Sequence, residues 1–351
     1  MGNIKINATA EPARLQLRLG SLAWPLLTLA LLLLFNLFFT PHFFQIEIKN
    51  GHLFGSLIDI LNRAAPTMLL AIGMTLVIAT AGIDISVGSV LAIAGAIAAV
   101  LIAKANAPIL LVFTVPVIAA VIFGAWNGML ISYVGIQPII ATLVLLTAGR
   151  GVAQLVTDGQ IINFHRAPFE YIGGSTGFLF GLPFPIIIVA AVFILTQFMT
   201  RRTALGLFIE AVGCNATASR YSGINDKSVK MTVYMFSGFC ASIAGMITAS
   251  NIKAADPNSA GLLLEMDAIL AVVIGGTPMN GGKFSLAGSM IGALIMQTLT
   301  TTILTRGVPV QATLVVRALV VILVCLLQSE EFRKSLQTRM GAQLRRSSVC
   351  E

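Results

Sequence analysis

Charge is what this sequence has least of: Asp, Glu, Lys and Arg together make up 10% of its 351 residues, against roughly 25% in an ordinary soluble domain. A soluble globular class is thereby excluded. Cysteine and histidine are nearly as scarce. Cys214, Cys240, Cys325 and Cys350 stand far apart with no CxxC pair, and His42, His52 and His165 are isolated. No disulfide framework, zinc spacing or redox pair is present, so neither a metal nor a cofactor is expected. A Ser/His/Asp set and a close carboxylate pair at membrane depth are also missing, which removes the common hydrolytic enzymes.

What the chain has is apolar length. Hydrophobic residues reach 57% and mean hydropathy is +0.92. Met68 to Ala103 holds a single charge, Asp84, and Pro108 to Gly149 holds none; both exceed the ~20 residues that cross a bilayer. In hydrocarbon the backbone must satisfy its own hydrogen bonds, and continuous runs of Leu, Ile, Ala and Gly do so as helices. A β-barrel needs short alternating segments instead. The fold class expected is therefore all-α and polytopic, with about ten transmembrane helices. They fall at Leu22 to Thr40 and near 58–80, 86–104, 108–133, 137–155, 183–200, 229–250, 265–278, 284–305 and 310–328. The first run is longer than a signal-peptide core and no small-residue cleavage pattern follows it, so it reads as a helix.

The net charge of +8 would suit nucleic acid, but in a membrane protein the placement of the charges explains it better. With ten spans and a cytoplasmic N-terminus, the segment 1–21, the stretch Arg201 to Lys230 and the tail 329–351 share one side. They carry 3, 5 and 5 Lys/Arg, 13 of the 22. That asymmetry fits the positive-inside rule, with both termini cytoplasmic. The partner implied is membrane lipid, and no nucleic acid is called for.

Two places interrupt the apolar pattern. Thr80-Ala-Gly-Ile-Asp-Ile-Ser-Val-Gly-Ser89 brings an acid, hydroxyls and glycines to membrane depth, where a carboxylate needs water or a partner. Asp84 either touches solute or caps the next helix through the amides near Ser86 to Gly88. The second break, Gly275-Gly-Thr-Pro-Met-Asn-Gly-Gly-Lys-Phe-Ser285, contains Gly-Gly-Lys but is no phosphate loop: Thr277 and Phe284 stand where that motif needs Gly and Ser or Thr. The chain should not hydrolyse ATP. An unwound loop between two helices is the simpler reading. Gly82, Gly88 and Ser89 are echoed 200 residues later by Gly282, Gly288 and Ser289, a faint sign of repeated halves.

Polar residues inside apolar segments include Asn62, Arg63, Asn127, Gln137, Arg150, Gln154, Asp267, Gln297 and Arg317. Some should pair across helices; as a set rich in amides they describe a wet path for a neutral polar solute. The path candidates are Asp84, Ser86, Ser89, Trp126, Asn127, Gln137, Gln154 and Gln297. Trp126 offers a surface for a sugar ring, although anchoring at the membrane interface is the commoner use of tryptophan. Between Arg201 and Lys230, Ala204 to Val212 is mostly apolar around Glu210. Asn215 then caps a short helix, Ala216 to Ser222, which Gly223 ends. It is either a rigid cytoplasmic knob that a soluble motor could drive, or a surface loop.

At these residues the sequence resembles the ribose-type permease family of ABC sugar importers. The likeness lies in Gly-Ile-Asp-Ile-Ser-Val-Gly-Ser at 82–89, Glu-Ala-Val-Gly-Cys-Asn at 210–215 and Asp-Ala-Ile-Leu-Ala-Val-Val-Ile-Gly-Gly at 267–276. Leu53–Ser56, Ile58–Pro66 and Ala148–Leu155 resemble its galactofuranose-type members in particular. Thr277-Pro278 with Asn280 departs from the looser run expected there. The resemblance implies a permease domain over 22–328 that carries sugar across the bacterial inner membrane. It implies ATP hydrolysis on a separate ATP-binding subunit, a second permease subunit (paralogue or self) and a periplasmic sugar-binding protein. It also implies a coupling helix within 204–224, where Glu210, Gly213, Asn215, Arg220 and Gly223 would meet the ATPase. The rival reading is an ion-coupled secondary transporter using Asp84, Asp267 and Arg317.

Overall fold

The computed structural model describes residues 22–322, apart from 41–42, 46, 50–51, 175–176, 180, 308, 310–311, 313 and 320. The expected segment 1–21 and tail 329–351 lie outside the described residues. The helices are α1 (Ala23–Phe39), α2 (Ser56–Ala79), α3 (Val87–Ala103), α4 (Ile109–Met129), α5 (Pro138–Thr157), α6 (Ala167–Glu170), α7 (Phe184–Arg202), α8 (Ala204–Cys214), α9 (Ala216–Tyr221), α10 (Asp226–Ile252), α11 (Leu264–Ile274) and α12 (Leu286–Thr305). Strand among the described residues is limited to short antiparallel pairs in connections, such as Ile162–Asn163 with Ala254–Ala255.

Six helices, among them α4 extended to Val134, are long and apolar enough to cross a membrane: α2, α4, α5, α7, α10 and α12. The protein is a polytopic all-α membrane protein. At three other expected spans the helices are shorter. α1 and α3 have 17 residues each, and α11, expected over 265–278, has 11. The tenth span, 310–328, falls mostly outside the described residues, although 314–319 are helical.

α10 runs through the middle, packed on α2, α3 and α4. Three glycines allow the close approach. Gly124 and Gly128 of α4 face the α10 backbone at Tyr234 and Met231, and Gly245 of α10 faces the carbonyl of Leu91 in α3. Small residues let helix backbones meet where lipid offers no hydrophobic drive, so dispersion and fit decide the pairing. The flanking helices instead show large apolar side chains outward, such as Leu31, Ile122, Val144 and Phe198, the surface expected against acyl chains.

α3 begins partway up the molecule. Ser237, which bonds to the loop before α3, is 11 residues into α10, about 16 Å at 1.5 Å per residue. Both sequence breaks are therefore real gaps between helices: 80–86 separates α2 from α3, and 275–285 separates α11 from α12.

Candidate translocation path and coupling element

The first gap is organised around a buried carboxylate. Asp84 is 2% exposed. Its Oδ1 accepts from the Ser86 hydroxyl at 2.6 Å and the Ser86 amide at 3.2 Å, and its Oδ2 accepts from the Ser237 hydroxyl at 2.8 Å. Ser86 immediately precedes α3, at its N-cap position. It also accepts a bond from Asn127 Nδ2 at 2.9 Å, so α4, α10 and the α2–α3 loop meet at one polar knot. Three donors on one carboxylate is the arrangement that makes a charge tolerable away from water. The Ser89 hydroxyl donates to the carbonyls of Ser86 and Leu145, bringing α5 to the same place. Oδ1 of Asn127 is buried without a partner.

The second gap lies against the first. The Gly282 amide donates to the Ala79 carbonyl at 2.9 Å, joining the end of α2 to the α11–α12 loop. Gly281 and Gly282 take φ of +79° and +86°, left-handed values that glycine adopts without steric cost. Gly213 of α8 closes on this junction: a Cβ there would collide with the Ala79 carbonyl oxygen and the Gly282 amide. The Gly281–Gly282 end of the loop is thus packed in protein, while Pro278, Met279 and Asn280 are exposed. Across the gaps, the Thr75 hydroxyl donates to that of Ser289 at 2.7 Å. The echoed serines behave alike as well, Ser89 bonding to Ser86 and Ser289 to Ser285.

α8 and α9 form a stiff element at this end. Thr203 caps α8 by accepting the Leu205 amide, and Asn215 caps α9 by accepting the Ala218 amide at 2.9 Å. Gly223, at φ +87°, turns the chain after α9. Arg220 then makes two parallel bonds of 2.9 Å to the carboxylate of Asp226, the first residue of α10. Such bidentate pairs add geometric definition as well as energy. Asp226 is buried while Arg220 is largely exposed. Glu210 is half-buried on α8.

At the opposite end a cavity of about 370 Å³ opens between α2, α10, α11 and α12. Arg63, Thr67, Thr248, Asn251, Asp267, Gln297, Thr300 and Arg317 give it a polar wall, and Pro66, Ile252, Leu264 and Met296 complete it. Arg317 Nη2 meets Asp267 Oδ1 at 2.5 Å. Two polar residues of apolar segments, fifty positions apart, are therefore each other's partners. Near this end the Glu170 carboxylate is bonded by Lys253 at 2.8 Å and by His165 at 3.2 Å. The Lys253 bond chiefly holds the Glu170 carboxyl below the usual carboxylate range, against the opposing effect of burial.

The expected path residues divide among these places. Asp84, Ser86, Ser89 and Asn127 share the knot. Gln297 alone lines the cavity. Trp126 is 53% exposed on α4, away from both. Gln137 is exposed at the start of α5, and Gln154 is exposed and bonded to Asn258 at 2.7 Å. The residues missed are Ser237, whose only signal is a hydroxyl in an apolar helix, and Thr67, Thr248, Asn251 and Thr300. Among the described residues no three His, Cys, Asp or Glu side chains group as metal ligands.

Apolar helices that enclose polar contacts, interrupted beside a capped pair of short helices, define the class of a membrane transport permease. Residues 56–325 match the family described as branched-chain amino acid transport system / permease component, and the chain belongs to it. It is similar to the galactofuranose transporter permease protein YtfT of Escherichia coli K12, with 51% identity over 88% of this chain and 91% of that one. The fructose import permease protein FruF of Bifidobacterium longum is 40% identical over 88% of each chain. The ribose import permease protein RbsC of E. coli K12 is 37% identical over 83% of this chain and 88% of that one. No solved structure matches.

Proposed function

We propose that the protein imports a sugar, galactofuranose-like or ribose-like, as the membrane permease subunit of an ABC importer. It is a permease of the ABC sugar-importer class, and the observation that carries the sugar reading is the 51% identity to the galactofuranose permease over 88% of the chain. The character of the cavity agrees. A zwitterionic amino acid would look for separate unpaired charges, whereas Asp267 and Arg317 neutralise each other and Arg63 is paired with Asp59 at 2.8 Å, which leaves amides and hydroxyls to meet a neutral polyol.

In this reading Asp84, Ser86, Ser89, Trp126, Asn127, Gln137, Gln154 and Gln297 belong to the translocation path. Glu210, Gly213, Asn215, Arg220 and Gly223 belong to the element that meets the ATP-binding subunit. The chain is a transport component, and ATP is hydrolysed on that partner. A second permease, a paralogue or another copy, completes the path, and a periplasmic sugar-binding protein delivers the solute. The protein is a multi-pass resident of a bacterial inner membrane with both termini cytoplasmic, as the placement of Lys and Arg supports. ATP-driven movement of α8–α9 would reach both helix gaps through Gly213, switching the pair between outward and inward access. The ion-coupled alternative is disfavoured because the acids it would enlist already have partners: Asp84 two serines, Asp267 an arginine.

The test is uptake into proteoliposomes holding the permease with its ATP-binding chain, partner permease and binding protein. Labelled galactose or ribose should enter with ATP and regardless of an uncoupler. Entry driven by an ion gradient without ATP would sink the importer reading, and entry of leucine in place of sugar would sink the substrate.

A further inference from the structure

Of the path residues read from sequence, only Gln297 reaches the cavity at the end opposite α8–α9. Its volume, about 370 Å³, lies at the small end of the range of ~300–1,000 Å³ for small-molecule sites. Asn251 is 14 residues beyond Ser237 on α10, so the cavity sits about 20 Å from the Asp84 knot along that helix. Its wall combines acceptors and donors in fixed positions. Arg317 Nη2 is held by Asp267 Oδ1, while Arg317 Nε is buried with no partner. A buried guanidinium donor left unpaired is costly, and a solute hydroxyl can supply the missing acceptor. Gln297 makes only a 3.4 Å contact with Thr301 one turn away, which leaves its amide available. The Thr300 hydroxyl donates to the Met296 carbonyl, which leaves its oxygen free to accept.

We propose that this cavity is a sugar-binding station within the permease, in which the Asp267–Arg317 pair engages adjacent hydroxyls and Gln297 and Asn251 distinguish one sugar from another. The proposal rests on the sugar reading above. It predicts that selectivity is not left wholly to the delivery protein.

The complete transporter in proteoliposomes, with its binding protein loaded, tests it. Labelled galactose and ribose uptake per ATP hydrolysed is measured for Gln297→Leu, Asn251→Leu and the double variant Asp267→Asn/Arg317→Gln. Loss of one or two solute bonds should lower galactose uptake per ATP about five- to tenfold and change the galactose-to-ribose ratio by a comparable factor. ATP hydrolysis stimulated by the binding protein should stay within about twofold of the unaltered transporter. Unchanged uptake per ATP and unchanged ratio in all three variants would overturn the station. So would a parallel fall in uptake and hydrolysis in all three, because the residues would then hold the fold and not the solute. Leucine import by the unaltered transporter would overturn the substrate reading itself, whereas sugar import insensitive to these residues would remove the station alone.

Discussion

The two ends of this permease are built from different materials. At the α8–α9 end, backbone meets backbone: the Gly282 amide on the Ala79 carbonyl, with Gly213 pressed against both. At the other end, side chains meet across space: Asp267 to Arg317 beside a cavity, Gln154 to Asn258, Lys253 to Glu170. Backbone contact without intervening side chains has no rotamers to absorb a displacement and transmits it, because packed interiors are stiff. Polar side chains around a cavity can exchange partners with a solute. One end is suited to receive force and the other to receive a ligand.

The largest effect should come from giving the stiff end a side chain. Gly213→Val puts atoms where the Ala79 carbonyl and the Gly282 amide lie; neither is a flexible side-chain tip, so α8 must move. Overpacking of this kind costs about 1–3 kcal/mol or more, and uptake should fall by at least about tenfold. The control is Gly151→Ala on α5, where an added Cβ meets nothing within 4 Å. Alanine in a helix should stabilise by roughly 0.5–1 kcal/mol, and uptake should hold. Equal behaviour of the two variants, in uptake and in thermal melting in detergent, would break the contrast between the ends.

After that loss of uptake comes an effect read as stability: Asp84→Ala strands the Ser86 and Ser237 hydroxyls and the Ser86 amide. The unsatisfied groups should cost about 2–4 kcal/mol, seen as a lower melting temperature. Ser237→Ala removes one of the three donors and should cost about 1 kcal/mol. A smaller loss for Asp84→Ala than for Ser237→Ala would mean that the carboxylate does not organise the knot. Arg220→Ala should cost little stability, because Arg220 is 61% exposed and solvent screens the pair. If α9 receives force, sugar uptake should nevertheless fall more than binding-protein affinity for sugar, which should not change.

Legibility in the sequence tracked how local each signal was. Asn215 and Gly223 bound a short helix by rules that act within four residues, and α9 formed where they put it. Both gaps announced themselves through Asp, Ser and Gly in apolar surroundings. The partners did not: Ser237 lies 153 residues from Asp84, and Arg317 lies 50 from Asp267. A uniformly apolar helix has no stripe to say which face is inward. That is why Gln137, Gln154 and Trp126, chosen for chemistry alone, stand exposed, while Thr67 and Asn251 drew no notice. α11 stops at Ile274, four residues short of the expected 278, because Gly275, Gly276 and Pro278 do not carry a helix on.

The smallest expected effect is a pH dependence confined to the cavity end. Glu170 is buried, its carboxylate bonded to Lys253, His165 and the Arg166 amide. Its pKa is lowered from 4.5, first by the Lys253 bond. A depressed carboxylate pKa contributes stability that is complete above the unfolded value and is lost as pH falls through the folded one. Glu170→Gln should therefore melt below the unaltered protein at pH 7. The difference should shrink as pH is lowered past 4.5, because the native carboxyl then becomes neutral too. Arg220→Ala offers the matching measurement at the stiff end, where Asp226 is the carboxylate. A Glu170→Gln deficit that stays constant down to acid pH would show that Lys253 does not hold the charge, and that this end is fixed by packing as the other is.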